Sequence, residues 1–168
     1  MPLLDSNTRE PRRIYTTSDL EDAAREIRAW VMISLHAAGS GHTGGTMSIA
    51  DIAAAMYLHH LNHDPYNPAW QDRDRVYWSA GHKAPAIYAT LGVAGYFDDM
   101  FVTWHGESVD QFGDISGAQL CVLLRKLGSP FEGHPNCRKL PGIEVSAGSL
   151  GQGLGVACGA ALDAKLRN

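Results

Sequence analysis

Glycine placement limits this chain more than any other feature. Glycine precedes histidine three times, at Gly41-His42, Gly81-His82 and Gly133-His134, and the run Gly148-Ser149-Leu150-Gly151-Gln152-Gly153-Leu154-Gly155 follows. Such stretches interrupt helices and strands and let the backbone approach a ligand closely. Histidine beside them offers a donor, an acceptor or a positive charge near neutral pH. One reading is a shared site in which several imidazoles surround an anionic, polyfunctional ligand. On spacing alone a second reading stays open, in which each histidine caps a helix or lies satisfied at the surface.

The residues between the glycines predict alternating helices and short strands. After a polar arm over residues 1–17, Ser18 and Glu21 form a capping box for a helix with an apolar stripe of Leu20, Ile27, Val31, Leu35 and Ala38. Gly39 ends it. The loop Ser40 to Gly45 is too glycine-rich for regular structure. Ser48 and Asp51 then open a second helix, which turns Ile49, Ile52, Ala53, Met56 and Tyr57 to a core. His59, His60 and His63 suit the carboxyl end of that helix. Asp72 to Arg75 reads as a solvated charge cluster, and Val76-Tyr77-Trp78 as a buried strand. Lys83 to Leu91 is a helix with Pro85 in its first turn. Strand, glycine turn and helix in this order set His82 at the carboxyl edge of a sheet, where open α/β folds bind ligands. A helix over Asp98–Trp104, a leucine-rich helix over Gln119–Leu127, a loop over Gly128–Gly142 and a strand over Ile143–Val145 follow. A helix of small residues runs on from Val156, with Gly155 and Gly159 spaced for close packing. The alternation predicts an α/β fold with a parallel sheet flanked by helices.

Composition removes several function classes. The 168 residues suit one core, and a net charge of −4 with both signs interspersed gives no electrostatic case for nucleic acid. No apolar run approaches the roughly 20 residues of a membrane span, and no signal peptide is evident. Three cysteines without metal-ligand spacing indicate reduced thiols and a cytoplasmic location. The run at Gly148 does not fit the dinucleotide fingerprint, no P-loop is present, and Ser149 lacks the setting of a nucleophile elbow. Phe112-Gly113-Asp114 lacks the partner ligands a divalent ion needs.

Four words taken in order resemble the N-terminal region of transketolases. They are Ser40-Gly41-His42-Thr43-Gly44-Gly45, then Asp72-Arg73-Asp74-Arg75 leading to Ser79-Ala80-Gly81-His82, then Gly133-His134-Pro135, then Ala147-Gly148-Ser149-Leu150-Gly151-Gln152-Gly153. The resemblance runs from about residue 20 to the C-terminus. It is most like the separately encoded N-terminal subunit of some prokaryotes, and Ser149 stands where many single-chain transketolases have proline. The resemblance implies a thiamine diphosphate-dependent enzyme that passes a two-carbon ketol unit from a ketose phosphate to an aldose phosphate. The cofactor provides the electron sink. It also implies that His42 contacts the substrate, that His134 lies by the donor's hydroxyls, and that His82 meets the diphosphate. Gly148, Ser149 and Leu150 would touch the aminopyrimidine through backbone groups. Imidazoles suit repeated proton transfer near pH 7.

The same resemblance implies what residues 18–168 lack. The family's magnesium motif, Gly-Asp-Gly, is expected after Asn168, and the glutamate that activates the aminopyrimidine belongs to a following domain. The chain is therefore expected to work in an oligomer with a complementary segment that carries Mg2+ ligands and the pyrimidine-binding domain. Alone it is expected to be inactive. Two other functions stay open: another thiamine diphosphate-dependent sugar-phosphate synthase, and a non-catalytic remnant that binds partner subunits.

Overall fold

A computed structural model describes residues 3–98 and 117–167. The expected helix over Asp98–Trp104, Phe112-Gly113-Asp114 and His105 lie largely or wholly outside the described residues.

Helix α1, Thr17–Ala38, forms one wall of the core with Ile27 and Val31 fully buried, and Gly39 closes it at φ 62°. Its start differs from the expected one. Thr16 and Asp19 form the capping box: the Thr16 hydroxyl accepts from Asp19 N at 3.2 Å, and Asp19 Oδ2 accepts from Thr16 N at 2.8 Å. Ser18 with Glu21 has the same spacing, but the earlier pair captures the cap and lengthens the helix.

The glycine-rich loop is also more ordered than its composition implied. Residues Thr43–Ser48 form α2, followed by α3, Ala50–Ala55, and a π turn, Met56–His60. The buried Thr46 hydroxyl donates to the carbonyls of His42 and Thr43, satisfying groups that glycine cannot. Arg28 of α1 reaches the Met47 carbonyl and the Asp51 carboxylate. Within α3 the core takes Ala50, Ala53 and Ala54, while Ile52, expected to face the core, is exposed.

After a 3-10 turn, Gly81–Lys83, helix α4, Ala84–Val93, runs through the middle of the molecule. Nine of its residues are buried, from Ala84 to Gly92, so it is apolar on all sides as a central helix should be. The expected leucine-rich helix is a 3-10 segment, Gly117–Leu123. Its Ala118 backbone lies where a Cβ on Gly92 would fall, 2.5 Å away, and this close approach to α4 buries Leu120, Cys121 and Leu124 while Leu127 stays outside.

The residues of the polar arm are tied down. Leu3 and Leu4 are buried, Leu4 bridges Pro11, and the buried Asp64 carboxylate accepts from Ser6 N and from Arg12. Burial alone would raise the pKa of Asp64, but those donors and Tyr66 N bring it below the usual carboxylate value. His63 also differs from the helix-end reading. It is buried between the Tyr57 carbonyl and the Tyr96 hydroxyl.

Among the described residues no strand is formed. Residues 74–80 and the expected Ile143–Val145 strand carry no ladder, since a short extended segment becomes a strand only beside a partner. Helix α5, Gln152–Arg167, buries only Gly153 among its residues. Nothing lies within 4 Å of a Cβ placed on Gly155 or Gly159, so the packing expected of that pair is not made among the described residues.

Candidate functional site

Two crossing segments build the site. Residues 73–82 lie alongside residues 144–153, and three fastenings join them. Arg73 forms a two-point ion pair with Glu144, one of its contacts at 3.1 Å, with both side chains mostly buried (12% and 9% exposed). A Cβ on Gly81 would fall 2.5 Å from the Ala147 oxygen, so the two backbones touch. Farther on, the Ser79 hydroxyl accepts from Gly151 N at 3.1 Å and Gly153 N at 3.2 Å. Ser79 thus caps α5 from another part of the chain, satisfying amides that the glycine run leaves free.

This framework brings the glycine–histidine pairs together. The rings of His42, just before α2, and His82, in the turn before α4, meet edge to face at 5.3 Å between centroids. Gly45 sits under the same turn, where a Cβ would fall 3.2 Å from Lys83 Cε and 3.8 Å from His82 Nε2. On the other side, a Cβ on Gly148 would fall 3.9 Å from His134 Cδ2. The link from His134 is reinforced by Ala147 N, which donates to the Pro135 carbonyl at 3.2 Å. His42 and His134 are exposed and His82 is half-buried. Gly148, Ser149 and Leu150 are exposed as well.

Several residues of this architecture were not singled out in the sequence. Arg73 stood in what looked like a solvated charge cluster, and its partner Glu144 is 71 residues away, so no local signal pairs them. Ser79 belonged to a quoted word but was read only as the end of a strand. Among the described residues, no group of three or more His, Cys, Asp or Glu side chains could hold a metal ion.

Three imidazoles, a lysine and an exposed glycine-rich backbone lie in this region, groups able to donate to an anion and to move protons near neutral pH. Residues 20–168 match the family described as transketolase, thiamine diphosphate binding domain, and the chain belongs to that family. It is 35% identical over 144 residues to the 6-deoxy-6-sulfo-D-fructose transketolase subunit SqwG of Clostridium sp. (strain MSTE9), covering 86% of this chain and 46% of that protein. It is 39% identical over 147 residues to transketolase 2 of Vibrio vulnificus (strain CMCP6), covering 88% of this chain and 20% of that protein. Among solved structures, the transketolase from Leishmania mexicana superposes with a TM-score of 0.67 at 30% identity, over 84% of this chain and 18% of that one. The transketolase from Campylobacter jejuni subsp. jejuni NCTC 11168 gives 0.67 at 29% identity, over 83% and 19%. The chain thus spans less than half the length of these relatives.

Proposed function

We propose that this chain supplies the diphosphate-binding part of a transketolase-like enzyme that transfers a two-carbon ketol unit from a ketose phosphate to an aldose phosphate. The observation that carries this reading is a chain of contacts: His42 meets His82, Gly81 beside His82 rests on the backbone of Ala147 and Gly148, and Gly148 lies against His134. The donor set suits thiamine diphosphate: imidazole N–H groups for the diphosphate, backbone groups for the aminopyrimidine, and glycines at 45 and 148 that bring the backbone within van der Waals reach of His82 and His134. When bound, the cofactor supplies the electron sink for breaking the carbon–carbon bond beside a carbonyl. His82 donates to the diphosphate. His42 and His134 orient the sugar's hydroxyls and hold or pass on their protons. Ser79 and the Arg73–Glu144 pair keep Gly148 to Leu150 in place.

The same reading assigns the Mg2+ ligands, and the glutamate and aromatic residues that complete the aminopyrimidine site, to a complementary segment. Helix α5 supports such a partner. Leu154, Cys158, Leu162 and Leu166 follow one another at four-residue intervals, and the three leucines are 71%, 57% and 77% exposed. Apolar helix stripes of this kind are normally covered. An open groove of about 830 Å³ runs between residues 71–77 and Ala157 to Arg167. In the assembled enzyme residues 74–80 become a strand of a parallel sheet completed by that segment. Free Cys121, Cys137 and Cys158 suit a reducing cytoplasm.

The test is to produce this chain with and without a segment carrying Gly-Asp-Gly and the pyrimidine-binding domain. Co-purification, magnesium-dependent cofactor binding by calorimetry and steady-state ketol transfer are expected only for the pair. Tight, magnesium-dependent binding to this chain alone would contradict the assignment of the metal ligands. A stable pair with no ketol transfer from any ketose phosphate would favour a non-catalytic role.

A further inference from the structure

Arg125 lies outside every motif discussed so far. Its φ of 58° is a left-handed conformation that residues with side chains rarely adopt. The turn is held by Arg125 N, which donates to the Phe131 carbonyl at 2.8 Å, and by Lys126 Nζ, which donates to the Ala37 carbonyl at the end of α1 at 2.9 Å. From this turn the guanidinium reaches two loops. Its Nη1 donates to the Ser40 hydroxyl at 2.9 Å. The group also lies against the backbone of Gly133, where a Cβ would fall 2.8 Å from Nε and 3.3 Å from Cζ. Ser40 leads directly into Gly41-His42, and Gly133 immediately precedes His134.

We propose that Arg125 is a positioning residue that fastens the His42 loop to the His134 loop and so sets the spacing of the two histidines. Rotation or loss of the guanidinium frees both loops at once. His82 and Gly148 are held differently, by the Arg73–Glu144 pair and by Ser79. Arg125 therefore bears directly on the loops of the groups assigned to the sugar, and reaches the groups assigned to the cofactor only through the Ala147–Pro135 hydrogen bond and the His42–His82 contact. Glycine at 133 follows from the same arrangement, since any side chain there would push the guanidinium away. This inference rests on the functional reading above for its kinetic consequence, but not for the coupling of the loops.

The experiment uses the assembled enzyme with Arg125→Ala, Arg125→Lys, Ser40→Ala and Gly133→Ala. Amide hydrogen exchange should rise together in residues 40–45 and 133–136 of Arg125→Ala. Its kcat/KM for the ketose donor should fall on the order of 10²-fold, the usual penalty for a small misplacement of reacting groups. Thiamine diphosphate affinity should fall far less than the donor kcat/KM, and added methylguanidinium should restore part of the rate. Arg125→Lys, which keeps a donor toward Ser40, covers the case in which the alanine variant fails to fold, and should retain the coupled protection. Exchange that rises only within residues 125–131, or a donor kcat/KM that stays at the parent value, would overturn the proposal. So would a loss of cofactor affinity as large as the loss in donor kcat/KM. If His42→Ala and His134→Ala leave turnover intact while the coupled exchange persists, the functional reading fails and the fastening stands.

Discussion

The imidazole of His42 meets that of His82 edge to face, with centroids 5.3 Å apart, although each belongs to a different loop and a different helix start. Two rings this close are in contact, so a change at one is felt by the other. The consequences still divide by role. His82→Ala in the assembled enzyme is expected mainly to weaken thiamine diphosphate binding. His42→Ala and His134→Ala are expected mainly to lower turnover and donor affinity, by about 10²–10⁴-fold for a lost proton-transfer group. Titration of cofactor in a steady-state ketol-transfer assay separates these outcomes, and folding should be nearly intact in all three. Parent-like activity in every variant would remove the support for a shared site.

Gly81 gives a packing test of the same region. Its missing Cβ lets the turn before α4 rest on the backbone of Ala147 and Gly148, and a methyl group would sit 2.5 Å from the Ala147 oxygen and 2.9 Å from Gly148 N. Backbone atoms cannot rotate aside as a side chain would. Gly81→Ala is expected to cost about 1–3 kcal/mol through overpacking. It should also displace Gly148 to Leu150 and weaken cofactor binding. Gly155→Ala, at a position with open space around it, is the control and should be neutral or slightly stabilising in α5. Urea unfolding and calorimetry on both variants decide the matter; equal stability for the two would show that the 81–147 contact is not tight.

The Arg73–Glu144 pair should behave as a buried ion pair does. Removing one partner leaves the other charge stranded, so Glu144→Ala is expected to destabilise by about 3–5 kcal/mol. Replacing both with methionine should cost much less, because neither charge then remains to be desolvated. The double-mutant cycle in urea measures the coupling. Additive losses would mean that the pair contributes nothing as a pair.

The parts of this molecule legible in sequence were those written locally. The stripe of Leu20, Ile27 and Val31, the Gly39 stop and Pro85 in the first turn of α4 each follow from a few neighbouring residues. The histidine pairs were legible because glycine beside histidine repeats. What was not legible depends on distance. Thr46 turns the glycine loop into a helix only when its hydroxyl finds the His42 carbonyl, and Ser79 caps α5 from 72 residues away. Arg73 looked solvated until Glu144 met it. The Thr16 and Ser18 boxes are equally good by spacing, so only the folded chain chooses between them. The expected strands are unpaired among the described residues, because a strand is a property of two segments and not of one.

His63 makes stability depend on pH in a direction that can be worked out. Its Nε2 lies 2.6 Å from the Tyr57 carbonyl, which can only accept, so Nε2 carries the proton. Nδ1 then accepts from the Tyr96 hydroxyl at 2.9 Å, and the neutral ring is fully satisfied. Burial pushes its pKa below the ordinary 6.5, with Arg73 acting in the same direction and the hydrogen bond to Tyr57, Asp64 and Asp74 opposing. The unfolded chain therefore takes up a proton here before the folded one does. The stability contributed by neutral His63 is complete above about pH 6.5 and is lost as pH falls below that value toward the folded pKa. Asp64, whose pKa is lowered, contributes to a separate loss at still lower pH, as pH falls below 3.8 toward its own folded value. Urea unfolding at about pH 7.5 and about pH 5 should show the parent weaker at the lower pH. His63→Gln should be less stable than the parent at the higher pH by about 1–3 kcal/mol, because glutamine cannot satisfy both partners at the spacing of the imidazole nitrogens. Its difference between the two pH values should be smaller, since the titrating group is gone. A variant that keeps the parent's full pH difference would show that His63 is not the group whose protonation weakens the fold.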